Sequence, residues 1–461
     1  MKIKYLFLVA MVAGMAAACK DKSVDPATQT ETNQWILEQM KYWYYWNDKI
    51  PANPDLTLKP SAFFSSLLNT HNPNTNPDGD RFSWIQESAD ELQSSLNGKS
   101  RTTGMEFKVV YNPQNTANVV GIVLYALPNS PAAKAGFKRG DVFTSINDQK
   151  LTGANYYGLV NGDGMRTYTM GAISDDGVIT DGTVKRTLTP LVLQEDPVYF
   201  DTLFQYGANK IGYLVYHHFV RGPDSVANST AYDQKVDAVF AKFKANNVNS
   251  LILDLRYNGG GYVSSATNLA SLIGKVTPND VFYYKEYNKT VTPVLEKQYG
   301  AGFFLEKFQS KAQNIGASLN HLVILTSKNS ASASELLING LKPFMNVTLV
   351  GAQTYGKNVG SITITGKEKG ITWGLQPIVT KSFNSLRKSD YSVGFTPDIA
   401  VTEGNKLYPY GNPRDPLLGN ALAKIVGSQV VRKAAAGIYE SQEIGSTITG
   451  KAGGSNMFFD K

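Results

Sequence analysis

The chain of 461 residues contains a single cysteine, Cys19, which excludes a disulfide scaffold and leaves no cysteine nucleophile in the body of the protein. Histidine is scarce too. His71, His217, His218 and His321 are the only four, and none lies in a recognisable motif, so a Ser-His-Asp triad has no local support. Beyond the N-terminus no long apolar run occurs, which argues against a multi-span membrane protein. Charge of one sign is not concentrated anywhere: 45 Lys plus Arg face 38 Asp plus Glu, the net charge is +7, and no basic block marks a nucleic-acid partner. What remains is an ordinary soluble composition, 42% hydrophobic, with length enough for two to four domains.

The position of the lone cysteine is informative. Lys2 and Lys4 precede an uncharged, mostly apolar stretch from Tyr5 to Ala18, and three alanines come directly before Cys19. That stretch is too short for a spanning helix but fits a signal-peptide core with small residues at its cleavage site. Small residues before a cysteine resemble a bacterial lipobox, although Ala16 stands where a larger aliphatic residue is usual. The expectation is a signal peptide over 1–18, removed on export, and a lipid on Cys19. The protein would then sit on a bacterial membrane facing the periplasm or the cell exterior, with 19–31 as a polar tether.

Three further regions follow. Residues 32–100 are patterned as helix, with Trp35, Tyr42, Trp43 and Trp46 spaced to share an aromatic face that packs or, alternatively, stacks on glycans. Residues 101–190 alternate as short strands (107–111, 119–125, 142–146) around one small helix, capped by Ser130-Pro131 and ended by Gly136. From 195 to 425 the rhythm is α/β: Val236, Val239, Phe240 and Phe243 mark a helix, and 251–255, 322–326 and 347–351 read as buried strands. No element is assigned to the extension 426–461.

Two loops at strand ends carry candidate chemistry. In DLRYNGGG, Asp254 to Gly261, neither GxxxxGK[ST] nor GxGxxG is present, which speaks against a nucleotide. The glycines then serve either backbone geometry or an array of N–H groups facing an oxyanion. In SASASE, Ser330 to Glu335, Ser332 and Glu335 satisfy a capping box, a purely structural role. Three serines alternating with alanines are nevertheless more than one cap requires, and a helix N-terminus favours negative charge forming beside it. A serine needs a base, and a lysine serves if burial keeps it neutral. Lys357, in the loop GAQTYGKNVG, is the candidate, although a lysine in such a loop is ordinarily just solvated.

The stretch LPNSPAAKAGFKRGDVFTSINDQKL looks like the centre of a PDZ domain. DLRYNGGG, SASASE and TYGK, in that order, resemble the C-terminal processing peptidases, the tail-specific proteases of the S41 serine peptidase family. The resemblance spans about 101–425. It implies a PDZ domain followed by an α/β core of stacked βα units, ClpP/crotonase-like in fold. It implies a serine-type peptidase with Ser332 as nucleophile and Lys357 as base, 25 residues apart as in the family. Gly260 and Ala333 N–H groups would form the oxyanion hole, Ser334 a support and Ser330 a loop residue. The PDZ loop Gly104, Met105, Glu106 and Phe107 would take a substrate carboxylate, the peptide adding as a strand. Polypeptides, engaged through their C-termini, are the implied partners, and no metal or organic cofactor is implied. The chain departs from the family at Gly259, at Asn358 and at Ser361, where a glutamine usually orients the lysine. A hydroxyl accepts from an amine, so Ser361 is the expected third member unless the orienting group comes from elsewhere. Glu106 stands where many PDZ loops have a second glycine. The competing expectation is a lipid-anchored peptide- or glycan-binding protein on an inactive peptidase fold.

Overall fold

The computed structural model describes residues 26–162, 164–226, 228–427 and 440–449, together with the backbone of 457–458. Cys19 and the signal segment lie outside the described residues. The first helix, Gln29–Trp43, begins inside the expected tether, because Thr28 and Glu31 close a capping box: the Glu31 N–H donates to Thr28 Oγ1 and the Glu31 carboxylate accepts from the Thr28 N–H. Trp35 is buried, but Tyr42 is 37% exposed, so the expected aromatic face is only partly packed. Asn33 donates to Leu56 and Leu58 carbonyls and pins the following loop to this helix. The N-terminal region does not stand apart. Its strand Trp84–Gln86 pairs antiparallel with Ile371–Gln376 of the core.

The PDZ region forms as the sequence suggests. Strands Met105–Asn112, Asn115–Ala126 and Val142–Ile146 are antiparallel neighbours, and Ser130 caps the helix Pro131–Lys134 by accepting from the Ala133 N–H. The module closes a little beyond the expected bounds, where Lys99–Thr102 pairs with Leu191–Gln194.

The core is a six-stranded sheet in the order Val198–Tyr206, Asn209–Tyr216, Ser250–Asp254, His321–Thr326, Val347–Gly351, Ile399–Ala400, with only the first pair antiparallel. Parallel strands buried on both faces need apolar residues at every position. Leu251 and Leu253 accordingly pack on one face with Phe240, Leu269 and Leu336, while Ile252 faces Leu418 and Leu422 of the helix Pro416–Val426 on the other. The helix Ala231–Ala245 buries Val236, Val239, Phe240 and Phe243 as expected, and Val263–Ile273 and Ala333–Leu341 follow the glycine loop and SASASE. Function is expected where the parallel strands end.

A buried ion cluster seats the PDZ module on that core. Arg256 Nη1 lies 2.9 Å from Asp415 and 2.8 Å from Glu403, and its Nε donates to Asp254. Arg139, from the PDZ module, pairs with the same Asp415 and Glu403 and donates to the Tyr257 hydroxyl. Buried charges persist only when paired and hydrogen-bonded, so these five side chains fix the module's orientation. The described residues of 426–461, a stretch unread in the sequence, supply two strands. Glu443–Ser446 adds to the PDZ sheet beside Met105–Asn112, and Met457–Phe458 lies between Gly261–Tyr262 and Val359–Ser361.

Candidate active site

The strand Ser250–Asp254 runs into the glycine loop, and His321–Thr326 runs into SASASE. The register Leu253↔Ile324 sets the two loops side by side. Side-chain hydrogen bonds then stitch them. Ser330 Oγ donates to the Leu255 carbonyl at 2.8 Å, Ser334 Oγ to the Asn258 carbonyl at 3.0 Å, and the Ala331 N–H donates to the same Asn258 carbonyl. Two of the three alternating serines are therefore structural. The third is different. Ser332 Oγ is buried and has no hydrogen-bond partner among the described residues. Its backbone sits at φ +63°, ψ −111°, a conformation costing on the order of 1–3 kcal/mol for a residue with a Cβ and one that clusters at functional sites.

Glu335 joins this serine to the lysine loop. Its Oε2 accepts from the Ser332 N–H at 2.9 Å and from the Lys357 N–H at 2.8 Å. Its Oε1 accepts from the Gly356 N–H at 2.7 Å and the Thr354 hydroxyl at 2.6 Å. Of the capping box expected from the sequence, the Glu335 half forms, while the Ser332 hydroxyl stays out of it; the bridge across 19 to 22 residues of chain was not legible there. Gly356, at φ +92°, is required for the approach, since a Cβ there would lie 2.5 Å from the Ser392 carbonyl oxygen.

Lys357 is not the solvated lysine that its loop suggests. It is fully buried, and burial pulls its amine down to about 7 against the opposing pull of Asp80 and, less, Glu335. The Phe82 ring covers Nζ at 4.9 Å. Both Asp80 and Phe82 belong to the N-terminal region, whose contribution to this site the sequence did not reveal. The segment is held there by Arg81, which donates to the Gly356 and Ser392 carbonyls, and by Asp80 Oδ1, which accepts from the Phe82 and Ser83 N–H groups. Ser361, the expected third member, is buried at the end of the strand Val359–Ser361, four residues past the lysine.

The expected oxyanion donors differ in state. Ala333 is the first residue of the helix Ala333–Leu341, whose leading N–H groups have no partner within the helix. Gly260 instead donates its N–H to Asn258 Oδ1 at 2.9 Å, so this donor is engaged. The glycine loop also has the geometric role anticipated for it. Gly261, at φ +132°, lets the chain pair with Phe219, whose carbonyl oxygen a Cβ would approach to 2.2 Å. In the PDZ loop, Gly104 and Met105 N–H groups are held by the Thr102 and Thr103 hydroxyls, Glu106 is buried, and the Phe107 N–H donates to Thr447 Oγ1.

A buried serine on a strained turn, linked through one carboxylate to a buried lysine and set beside a PDZ module, defines a class of α/β hydrolytic fold. Models of known families agree. Peptidase family S41 matches residues 210–401, the S41 N-terminal domain 31–84 and a PDZ domain 122–164. The 210–401 core thus matches peptidase family S41, and the chain is similar to the C-terminal processing peptidases. A chloroplastic C-terminal processing peptidase of Tetradesmus obliquus is 26% identical over 310 residues, 65% of this chain and 60% of the relative. A carboxy-terminal-processing protease of Bartonella bacilliformis is 25% identical over 325 residues, 69% of this chain and 65% of the relative. The chain thus spans less than two thirds of the length of these relatives. A candidate S41 protease from Bacteroides fragilis, known as a crystal structure, superposes with a TM-score of 0.70 at 25% identity, over 85% of this chain and 97% of that one.

Two substitutions test the electrostatics of Lys357 in opposite directions. Asp80→Asn removes the anion that favours the ammonium, so the amine should titrate lower. Phe82→Ala admits water, so it should titrate higher. NMR of lysine-labelled protein reads both shifts, and an unmoved titration in both variants would contradict this account of the site.

Proposed function

We propose that the protein is a serine endopeptidase of the tail-specific type, cleaving polypeptides through an acyl-enzyme formed on Ser332. The observation that carries this reading is that Glu335 joins the backbone of Ser332, whose hydroxyl has no partner among the described residues, to the backbone of Lys357, whose buried amine is pulled down to about 7. About half of such lysines are neutral at pH 7 and able to act as a base, against fewer than one in a thousand at the ordinary value of ~10.4.

Neutral Lys357 takes the proton from Ser332 Oγ as the oxygen attacks the scissile carbonyl carbon. The negative charge forming on the carbonyl oxygen faces the N-terminus of the helix Ala333–Leu341, with the Ala333 N–H as first donor. The Gly260 N–H becomes the second donor on exchanging Asn258 Oδ1 for the oxyanion. The ammonium of Lys357 returns its proton to the departing amine as the C–N bond breaks. Water, deprotonated by the same lysine, then releases the acyl group and restores Ser332. Asp80 favours the ammonium between these steps and takes the orienting part that a glutamine plays in the family pattern, with Ser361 as a further support. None of these steps calls for a metal or organic cofactor. The PDZ module binds or gates substrate C-termini through its 104–107 loop, with a peptide added as a strand.

Purified full-length protein incubated with an unfolded polypeptide tests the mechanism. Ser332→Ala and Lys357→Ala should each lower kcat by at least about 10²–10⁴-fold. The parent's rate should climb as pH rises through about 7 and flatten above, because the base is the deprotonated amine. Cleavage surviving either substitution would refute the dyad. Binding without cleavage by the parent would favour a non-catalytic peptide- or glycan-binding protein.

For location we propose export, removal of residues 1–18 and lipidation of Cys19 on a bacterial membrane facing the periplasm or the cell exterior, on the strength of the leader sequence. Mass spectrometry of membrane-fraction protein should find an acylated Cys19 at the N-terminus, and Cys19→Ala should move the protein to the soluble fraction. Unmodified Cys19 in a soluble parent would contradict this.

A further inference from the structure

The last described part of the chain lies where peptides would bind. The strand Glu443–Ser446 runs antiparallel to Met105–Asn112 with Glu443 opposite Val110 and Ser446 opposite Lys108, advancing toward the 104–107 loop. That is the direction taken by a peptide whose carboxyl end is to reach this loop. The fit is specific. Tyr156 donates its hydroxyl to the Ile444 carbonyl at 2.7 Å, the Thr447 N–H donates to the Phe107 carbonyl at 3.0 Å, and Thr447 Oγ1 accepts from the Phe107 N–H at 2.9 Å. Ile444 packs on the PDZ core, and Ile448 is buried. The groove, about 640 Å³, is lined by Tyr156, Val160, Arg166 and Tyr168 as well as by this segment. Glu443 also pairs with Lys328, two residues before the SASASE loop, at 2.9 Å, so the segment ties the PDZ edge to the catalytic side of the core.

A second stretch of the same segment lies in the cleft. Met457–Phe458 pairs in parallel with Gly261–Tyr262 of the glycine loop on one side, and Phe458 pairs in parallel with Ser361 on the other. In the sheet order, among the described residues, this strand connects the glycine loop to the strand that follows Lys357. The gap it fills is therefore a strand-wide slot between the expected oxyanion loop and the lysine loop. Backbone ladders accept any extended sequence, so the ligand class that completes such a slot is unfolded polypeptide.

We propose that residues 440–449 and 457–458 act as a resident ligand of this chain, occupying the PDZ groove and the catalytic slot at once and competing there with substrate polypeptides. The proposal rests on the peptidase reading of the cleft. Occupancy in cis has a high effective concentration, so an external polypeptide gains access only during the fraction of time the segment is released. The segment thereby sets a threshold: chains that present both a tail and an extended stretch displace it more readily than chains that present one.

Full-length protein carrying Thr447→Pro, which removes the N–H donated to Phe107, or Phe458→Pro, which takes the N–H from the residue paired with Tyr262 and Ser361, tests this. The probe is a fluorescent peptide of residues 440–461, titrated by anisotropy into the Ser332→Ala form of the parent and of each variant, alongside kcat/KM on an unfolded polypeptide with Ser332 intact. If the segment occupies the slots about nine-tenths of the time, either variant should bind the peptide about tenfold more tightly and raise kcat/KM to a similar extent. Unchanged peptide affinity in both variants overturns the proposal, whether or not the parent cleaves. Tighter binding in the variants with no cleavage by any form upholds the occupancy and removes the peptidase reading instead.

Discussion

The buried carboxylate of Glu335 holds four donors from two separate loops, and the arrangement of the site follows from it. With both oxygens bound by Ser332, Thr354, Gly356 and Lys357, the helix that starts at Ala333 and the loop that carries the lysine cannot move independently. Burial pushes the Glu335 pKa up, and the four short hydrogen bonds oppose that shift. A buried acceptor with four donors is a demanding arrangement, because loss of the carboxylate leaves every donor unsatisfied at once. The strained φ of Ser332 is affordable in that setting. The Glu335 bond to its N–H, and the bonds from Ser330 and Ser334 to the glycine loop, fix the backbone on either side of it.

The environment of Lys357 is a balance. Burial under Phe82 disfavours the ammonium, and the Asp80 carboxylate opposes this, leaving an amine that changes charge near neutrality. The N-terminal region thus contributes both the apolar cover and the counter-charge, and Arg81 ties that region to the loop it serves. The Arg139–Arg256–Asp415–Glu403 cluster likewise ties the PDZ module to the strand from which the glycine loop departs. Both flanking regions meet the serine, lysine and glycine loops through buried polar contacts whose separation would strand charge.

Local patterns made much of this visible in the sequence. The continuous apolar strands near 251–255, 322–326 and 347–351, the amphipathic helix through Val236 and Phe243, and the Ser130-Pro131 cap all lie where expected, since each is decided within a few residues. Ser332 and Lys357 stood out by their motifs, and the structure joins their loops through Glu335. What escaped reading depends on distant partners: the bridging use of Glu335, the reach of Asp80 and Phe82 into the site, and the capture of the Gly260 N–H by Asn258. The two strands of the 426–461 extension were invisible for a related reason. Glu443–Ser446 and Met457–Phe458 are too short for a period-2 pattern to show, and they pair where existing strands offer an edge.

The reactivity of one hydroxyl tests the central claim most directly. A fluorophosphonate probe attacks only an activated serine, and peptide mass spectrometry locates the adduct. The account predicts a single adduct on Ser332, formed faster as pH rises through about 7 and absent in Lys357→Ala. An unlabelled Ser332 in protein freed of its 440–458 segment, or labelling that persists without Lys357, would contradict it.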